Sequence, residues 1–168
     1  MKVFVSYSVE DTSLVRQLVA QLRSCTDKVF WWDGNKEPGQ GVWLTIHDWI
    51  DQSDLVLAVL TGRTLARAMA VGNEIGYARA KGKFILPLVG PEVRSEELGC
   101  LSGVTYQRIN SENPGPAIEA VRLQIATREQ QAADKALNLL LIVGGVIAMI
   151  WLLLKAREPG EDDGHSDA

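Results

Sequence analysis

The chain has 168 residues, which is enough for one ordinary domain and one further element but too few for two full domains. Its net charge of −4 at pH 7 lacks the excess of basic residues that nucleic-acid binding needs. The two cysteines, Cys25 and Cys100, have no CxxC spacing. We therefore expect no nucleic-acid partner, no metal site and a reducing compartment.

The apolar residues are concentrated in one block near the C-terminus. Residues 136–154 read ALNLLLIVGGVIAMIWLLL and contain no charged side chain. At about 1.5 Å per residue, a helix of this length crosses most of the roughly 30 Å of a bilayer's hydrocarbon core. Signal peptides are found at the N-terminus of a chain, so the position of this block argues against a signal peptide. We therefore predict a single-pass protein that is anchored in the lipid bilayer at its C-terminal end.

Strands and helices alternate along the chain before this block. Short β-branched or apolar runs predict five strands, at residues 2–7, 28–32, 55–60, 84–89 and 104–109. Helical spacing between them predicts helices at 12–22 and 42–50, another ending near residue 83, and one beginning at Pro116. This order favours an α/β fold, an open parallel sheet with helices on both faces. Ligands of such sheets bind at the carboxyl ends of the strands.

Two common nucleotide-binding motifs are absent. Gly39 and Gly41 do not complete a GxGxxG pattern, and the sequence has no G-K-[ST]. Neither a Rossmann dinucleotide loop nor a P-loop is therefore expected, and any nucleotide must be recognised in another way.

Four segments together resemble the bacterial type of Toll/interleukin-1 receptor (TIR) domains over roughly residues 1–130. They are residues 3–8 with Glu10 and Asp11; residues 29–33 with Gly41, Trp43, Ile46 and Ile50; residues 53–61; and residues 73–78 with Gly82, Lys83 and the strand 84–89. The resemblance implies a flavodoxin-like open sheet of five parallel strands, the same fold class that the pattern predicts.

The chain divides into four predicted segments. Residues 1–130 form the TIR domain, 131–135 a helical connector and 136–154 the transmembrane helix. Residues 155–168 have the composition of a disordered acidic tail. No helix breaker separates the domain from the apolar block, so one continuous helix is expected to join them.

Many TIR domains cleave nicotinamide from NAD, and the resemblance places Glu74 at the catalytic position. NAD is then a substrate, and no cofactor is implied. Because the nicotinamide in NAD is cationic, it leaves as a neutral molecule without a general acid. A single carboxylate can hold the ribose hydroxyls and stabilise the oxocarbenium-like charge.

The predicted substrate-binding set lies at the strand ends and the second-strand loop: Ser6, Tyr7, Ser8, Trp32, Asp33 and Trp43. The resemblance places the first three at positions that line the nicotinamide ribose and phosphates, and Asp33 could face the ligand or hold the loop. One position departs from the family pattern. Many NAD-cleaving members have a tryptophan four residues before the glutamate, and this chain has Ala70 there. Trp32, Trp43 or Tyr7 could replace the missing aromatic wall.

Glu74 must also lie near the strand ends. In an unbroken helix from Thr64 it would lie about 15 Å along the axis, too far from a ligand at those ends. We therefore expect residues 62–69 to be largely loop and the helix to begin near Ala70.

The sequence-based hypothesis is a membrane-anchored TIR domain that cleaves NAD to nicotinamide and ADP-ribose or a cyclised form, is activated by self-association, and acts in antiphage defence signalling. Residues 34–41 match the family's self-association and ligand-gating loop. Charges flanking the span do not set its orientation, but NAD is intracellular, so the domain is placed in the cytoplasm. Two alternatives remain: a non-catalytic adaptor that recruits other TIR proteins, and a nucleotide sensor whose helices permeabilise the membrane.

Overall fold

The computed structural model describes residues 1–35, 41–65 and 68–155. The chain divides into two compact units, Met1–Thr127 and Arg128–Ala168. Most of the predicted gating loop and all but the first residue of the predicted acidic tail lie outside the described residues.

The first unit contains a sheet of five parallel strands in the order β2-β1-β3-β4-β5. The strands are β1 (Lys2–Ser6), β2 (Lys28–Phe30), β3 (Leu55–Leu60), β4 (Phe84–Val89) and β5 (Gln107–Arg108). The α/β class and the number of parallel strands are confirmed. Because β1 and β3 are neighbours, the segments that follow them meet at one edge of the sheet.

Six α-helices connect and extend these strands: α1 (Thr12–Leu22), α2 (Trp32–Asn35), α3 (Val42–Gln52), α4 (Gly62–Leu65), α5 (Ala68–Ala80) and α6 (Gly115–Lys155). Two 3₁₀ segments, Val9–Asp11 and Ser95–Leu101, complete the described elements. Helix α6 continues without interruption from Gly115 to Lys155, as the lack of a breaker predicts.

The second and fifth strands are shorter than predicted. Residues 31–32 do not extend β2, because the Asn35 amide donates to the Trp31 carbonyl and the Trp31 amide donates to Asn35 Oδ1. These bonds turn the chain into α2. The fifth strand has two residues instead of six, since Gly103 has a φ of 80° and the Val104 amide turns back to the Leu101 carbonyl.

The sheet is buried on both faces. Inward-facing residues alternate along β1, so Val3 and Val5 pack towards α1 and the first turns of α6, while Phe4 packs with α3 and α5. Ser6 shares the face of Phe4 by the same alternation. The strand therefore directs the Ser6 side chain towards α5.

One helix of the described chain is long and apolar enough to cross a membrane. The candidate span lies within Gly115–Ile150, and its most apolar 18-residue window has a mean hydropathy of 1.8 with none of it buried. The helix thus qualifies as a candidate span by its length and composition alone.

Candidate active-site cleft

A buried hydrogen bond joins the end of β1 to α5. Ser6 is the last residue of β1 and is fully buried, and its hydroxyl donates to Glu74 Oε2 at 2.5 Å. Glu74 itself is only 8% exposed. The two residues are 68 positions apart in sequence, so the sheet and α5 together create the contact.

The segment before Glu74 differs from the expected loop. Residues 62–65 form the one-turn helix α4, and α5 begins at Ala68, two residues before Ala70. The expectation of a largely irregular segment at 62–69 is therefore wrong, because Thr64 Oγ1 accepts the Thr61 amide and closes a helical turn. Glu74 lies six residues after Ala68 in α5, and its carboxylate reaches Ser6 at the end of β1.

A cleft of about 190 Å³ lies above this contact. It is lined by five of the residues predicted for the site, namely Tyr7, Ser8, Trp32, Trp43 and Glu74. Ser6 does not line the cleft itself, but its hydroxyl is hydrogen-bonded to Glu74, which does. The fold thus brings together side chains that follow β1, begin α2 and α3, and occupy the second turn of α5.

Three aromatic side chains line the cleft beside Ala70, the position that lacks the family's tryptophan. Trp32 and Tyr7 are half-buried, and Trp43 is 45% exposed at the start of α3. The Trp43 ring lies 6.2 Å from that of His47, which stacks on Tyr77 at 3.9 Å. Aromatic surface is therefore available to a ligand from elements other than α5.

Tyr7 and Ser8 also hold the local backbone. The Tyr7 hydroxyl accepts the Asp33 amide at 3.2 Å, and burial raises the pKa of Tyr7. Ser8 Oγ accepts the Glu10 amide and caps the 3₁₀ segment that follows β1. Both residues thus combine a position in the cleft wall with a structural role.

Asp33 lies outside the cleft. Its carboxylate pairs with Arg16 Nη2 at 2.6 Å on the surface of the domain, and this hydrogen bond raises the pKa of Arg16. The residue is linked to the cleft through its amide, which binds Tyr7.

The surroundings of Glu74 alter its acidity. Burial raises the pKa of Glu74 to about 7, and the hydrogen bond from Ser6 opposes this shift by stabilising the charged form. A carboxyl group with a pKa near 7 is present in both protonation states at physiological pH. Such groups occur at catalytic sites because they suit proton transfer and charge stabilisation.

Sequence reasoning missed four apolar residues that line the cleft: Val9, Val42, Ile46 and Val71. Val71 lies three positions before Glu74, so helical spacing places it on the same face of α5. In the part of the chain that the structure describes, no group of three or more His, Cys, Asp and Glu side chains is placed to hold a metal ion.

Residues 3–137 match the family described as TIR domain, and the five-stranded parallel order of the sheet is typical of that family. The chain therefore belongs to the TIR domain family. No curated protein matches the sequence.

Solved structures share the fold at low sequence identity. The TIR-STING receptor from C. gigas, solved in complex with 2′,3′-cGAMP, matches at 20% identity and a TM-score of 0.60, over 71% of this chain and 39% of that chain. The TIR domain of the Toll-related receptor TRR-2 from Hydra magnipapillata matches at 19% identity and a TM-score of 0.57, over 76% of this chain and 95% of that chain. The Clostridium botulinum CMP N-glycosidase BcmB matches at 21% identity and a TM-score of 0.52, over 72% of this chain and 98% of that chain.

Proposed function

We propose that this chain is a membrane-anchored TIR domain that cleaves NAD into nicotinamide and ADP-ribose, or a cyclised form of it, with Glu74 as the catalytic residue. The observation that carries the proposal is a buried glutamate in the wall of a strand-end cleft, held by Ser6 and having a pKa of about 7.

The proposed reaction breaks the bond between ribose C1′ and the nicotinamide nitrogen. The bonding electrons go to the nitrogen, which neutralises the cationic ring, and positive charge develops on the ribose. The Glu74 carboxylate stabilises this charge and accepts hydrogen bonds from the ribose hydroxyls. A water molecule then adds to C1′ and releases one proton, so NAD and water give ADP-ribose, nicotinamide and a proton.

The size and walls of the cleft suit one end of a dinucleotide. Its volume of about 190 Å³ is below the ~300 Å³ of pockets that enclose a whole drug-sized ligand. The nicotinamide ribose therefore enters the cleft, and the remainder of NAD lies along its mouth. Trp32, Trp43 and Tyr7 offer π-surfaces to the cationic ring, a favourable contact of about 0.5–2 kcal/mol. These three side chains provide the aromatic wall that a tryptophan at the position of Ala70 would otherwise supply.

The fold is compatible with this bond type. The C. botulinum CMP N-glycosidase has a similar fold, and its name describes cleavage of an N-glycosidic bond, the bond class proposed here. Val42 and Trp43 line the cleft and are exposed, and so are Leu44 and Met69, which follow and precede lining residues in sequence. These exposed apolar side chains support activation by self-association. Exposed apolar patches of this kind favour protein contacts.

Helix α6 anchors the chain in the bilayer as a single span, with the TIR domain in the cytoplasm where NAD is available. Clustering in the membrane, with other copies or other TIR proteins, turns the enzyme on. Antiphage defence signalling is the proposed setting.

The test is nicotinamide release from NAD by the full-length protein, reconstituted at high density in liposomes. We expect turnover by the wild type and a loss of at least 100-fold in Glu74→Gln, since the amide cannot stabilise positive charge. Glu119→Gln is the matched control, because Glu119 is an exposed glutamate paired with Arg122 on α6. It should keep wild-type turnover.

The opposite result would identify a different class of protein. If the wild type is folded and clustered but releases no nicotinamide, the enzymatic proposal is wrong. The chain would then be a non-catalytic adaptor that recruits other TIR domains at the membrane. Binding of a second TIR domain that is unaffected by Glu74→Gln would identify that role.

A further inference from the structure

A second buried carboxyl group lies outside the cleft. Asp11 is 2% exposed, and its Oδ2 accepts the hydroxyl of Thr61 at 2.7 Å and the hydroxyl of Thr64 at 3.2 Å. Both threonines are also buried, at 2% and 1% exposure. Burying three polar side chains is costly unless they satisfy one another, so this cluster is a specific junction.

The cluster joins the segments that follow two neighbouring strands. Asp11 ends the 3₁₀ segment after β1, and Thr61 follows β3 directly. Two further bonds hold α4 nearby: Arg63 Nη1 donates to the Glu10 carbonyl at 3.1 Å, and the Gly62 amide donates to Glu92 Oε1 at 2.8 Å. Helix α4 is thereby attached to the segment that forms one wall of the cleft.

The junction is connected to Glu74 through α5. Thr64 of α4 and Val71 of α5 line the same apolar cavity of about 130 Å³. Val71 also lines the active-site cleft together with Glu74. Helices α4 and α5 are also in direct contact, so we expect a displacement of α4 to move the turn of α5 that precedes Glu74.

We infer that Asp11 is a positioning residue, which holds α4 through the Thr61 and Thr64 hydroxyls and so sets α5 where Glu74 Oε2 meets Ser6 Oγ. The inference rests on the proposed function for its effect on catalysis. Its structural content, the placement of Glu74 against Ser6, can be measured without turnover.

The experiment compares Asp11→Ala with Asp11→Asn in the full-length protein. Alanine removes the acceptor, whereas asparagine keeps an oxygen at the same distance from the backbone. The protein carries ¹³C-labelled glutamate in detergent micelles, and the Glu74 carboxyl signal is identified by its absence in Glu74→Gln. Nicotinamide release in liposomes is measured over pH 5.5–9 in parallel.

We expect Asp11→Ala to raise the titration midpoint of Glu74, because the carboxylate loses the Ser6 hydroxyl that stabilises it. A rise of one pH unit lowers kcat/KM at pH 6 about tenfold and leaves the value at pH 9 nearly unchanged. Asp11→Asn should restore the wild-type midpoint. Thr64→Val removes the hydroxyl that donates to Asp11 and accepts the Thr61 amide, and it should shift the midpoint in the same direction.

An unchanged or lowered Glu74 midpoint in folded Asp11→Ala and Thr64→Val overturns the inference, even if turnover falls. Failure of all variants to fold, judged by circular dichroism, also overturns it, since Asp11 would then serve the stability of the domain alone. If no variant and no wild type releases nicotinamide but the midpoint shifts as expected, the proposed function is wrong and the positioning role stands.

Discussion

Glu74 and Asp51 show how two carboxyl groups of one domain acquire opposite properties. Asp51 is exposed and accepts the Tyr77 hydroxyl at 2.9 Å, and this bond lowers the pKa of Asp51. Glu74 is buried beside apolar side chains, and the loss of hydration outweighs its bond from Ser6. The neutral form of Glu74 is therefore populated at pH 7, although the proposed chemistry uses the charged form.

This environment predicts the pH dependence of the proposed reaction. If the carboxylate is the active form, kcat/KM should rise with pH through a midpoint near 7 and level off about one pH unit higher. Ser6→Ala should move the midpoint upward, because the hydroxyl stabilises the charged form. The measurement is initial-rate nicotinamide release across pH 5.5–9. A rate that is constant between pH 5.5 and 8 would contradict the assignment.

The same group links folding stability to pH. A folded-state pKa raised from 4.5 to about 7 stabilises the fold fully below pH 4.5, and this contribution is lost as the pH rises through 7. The loss amounts to about 3 kcal/mol. Glutamine cannot ionise, so Glu74→Gln avoids the cost of a buried negative charge. The variant should therefore be more stable than wild type at pH 8, with a smaller difference at pH 5.

Urea unfolding at pH 5 and pH 8 tests this expectation. Glu119→Gln is the control again, since it replaces an exposed glutamate. Equal free energies of unfolding for Glu74→Gln and the control at pH 8 would show that Glu74 is not held in a desolvated environment.

At the scale of elements, local patterns predicted some parts of the fold well. Helix α1 and strands β3 and β4 have the predicted bounds, because helical spacing and continuous apolar runs were strong there. Helix α2 was missed, since residues 31–32 have strand-forming side chains. The bonds between Trp31 and Asn35 override that preference.

Helix α2 contains Gly34, a position where a side chain does not fit. We therefore expect alanine to destabilise the domain more at Gly34 than at Gly41. A Cβ atom at Gly34 would overlap Nε1 of Trp31, a residue buried in the core. Gly34→Ala should destabilise the domain by about 1–3 kcal/mol and raise KM for NAD, because α2 carries Trp32. Thermal unfolding and steady-state kinetics provide the measurements.

Gly41 is the matched position for this test. It precedes α3, has a φ of −68°, and the nearest atom to an added Cβ is Leu44 Cδ1 at 3.7 Å, an ordinary contact. Gly41→Ala should therefore cost less than about 1 kcal/mol. Similar losses in the two variants would contradict the role assigned to the packing of Trp31 on Gly34.

At the scale of the whole molecule, α6 has two kinds of surface along its length. Ile118, Val121 and Ile125 are buried in the domain core, whereas Leu139, Leu140 and Ile147 are more than half exposed. Exposed apolar side chains in continuous sequence are unfavourable in water. The proposed bilayer anchor accounts for them.

This anchor predicts the effect of charge within the helix. Leu141→Lys combined with Ile147→Lys adds roughly 5–7 kcal/mol to insertion at the centre of a bilayer, so the variant should be extracted from cell membranes by alkaline carbonate. Leu123→Lys with Ala126→Lys adds the same charge at exposed positions of α6 before the predicted span. It should stay in the membrane fraction. Retention of the first variant would rule out the anchor.

The sequence by itself determined the class of fold, most strand and helix positions and the apolar C-terminal helix, because these follow from spacing and composition along the chain. The family motif also pointed to Glu74 and to the aromatic residues around it. Only the tertiary structure decided which of them meet. The Ser6 contact, the raised pKa of Glu74, the separation of Asp33 from the cleft and the buried Asp11 junction arise between residues distant in sequence, where packing sets hydration and hydrogen bonding.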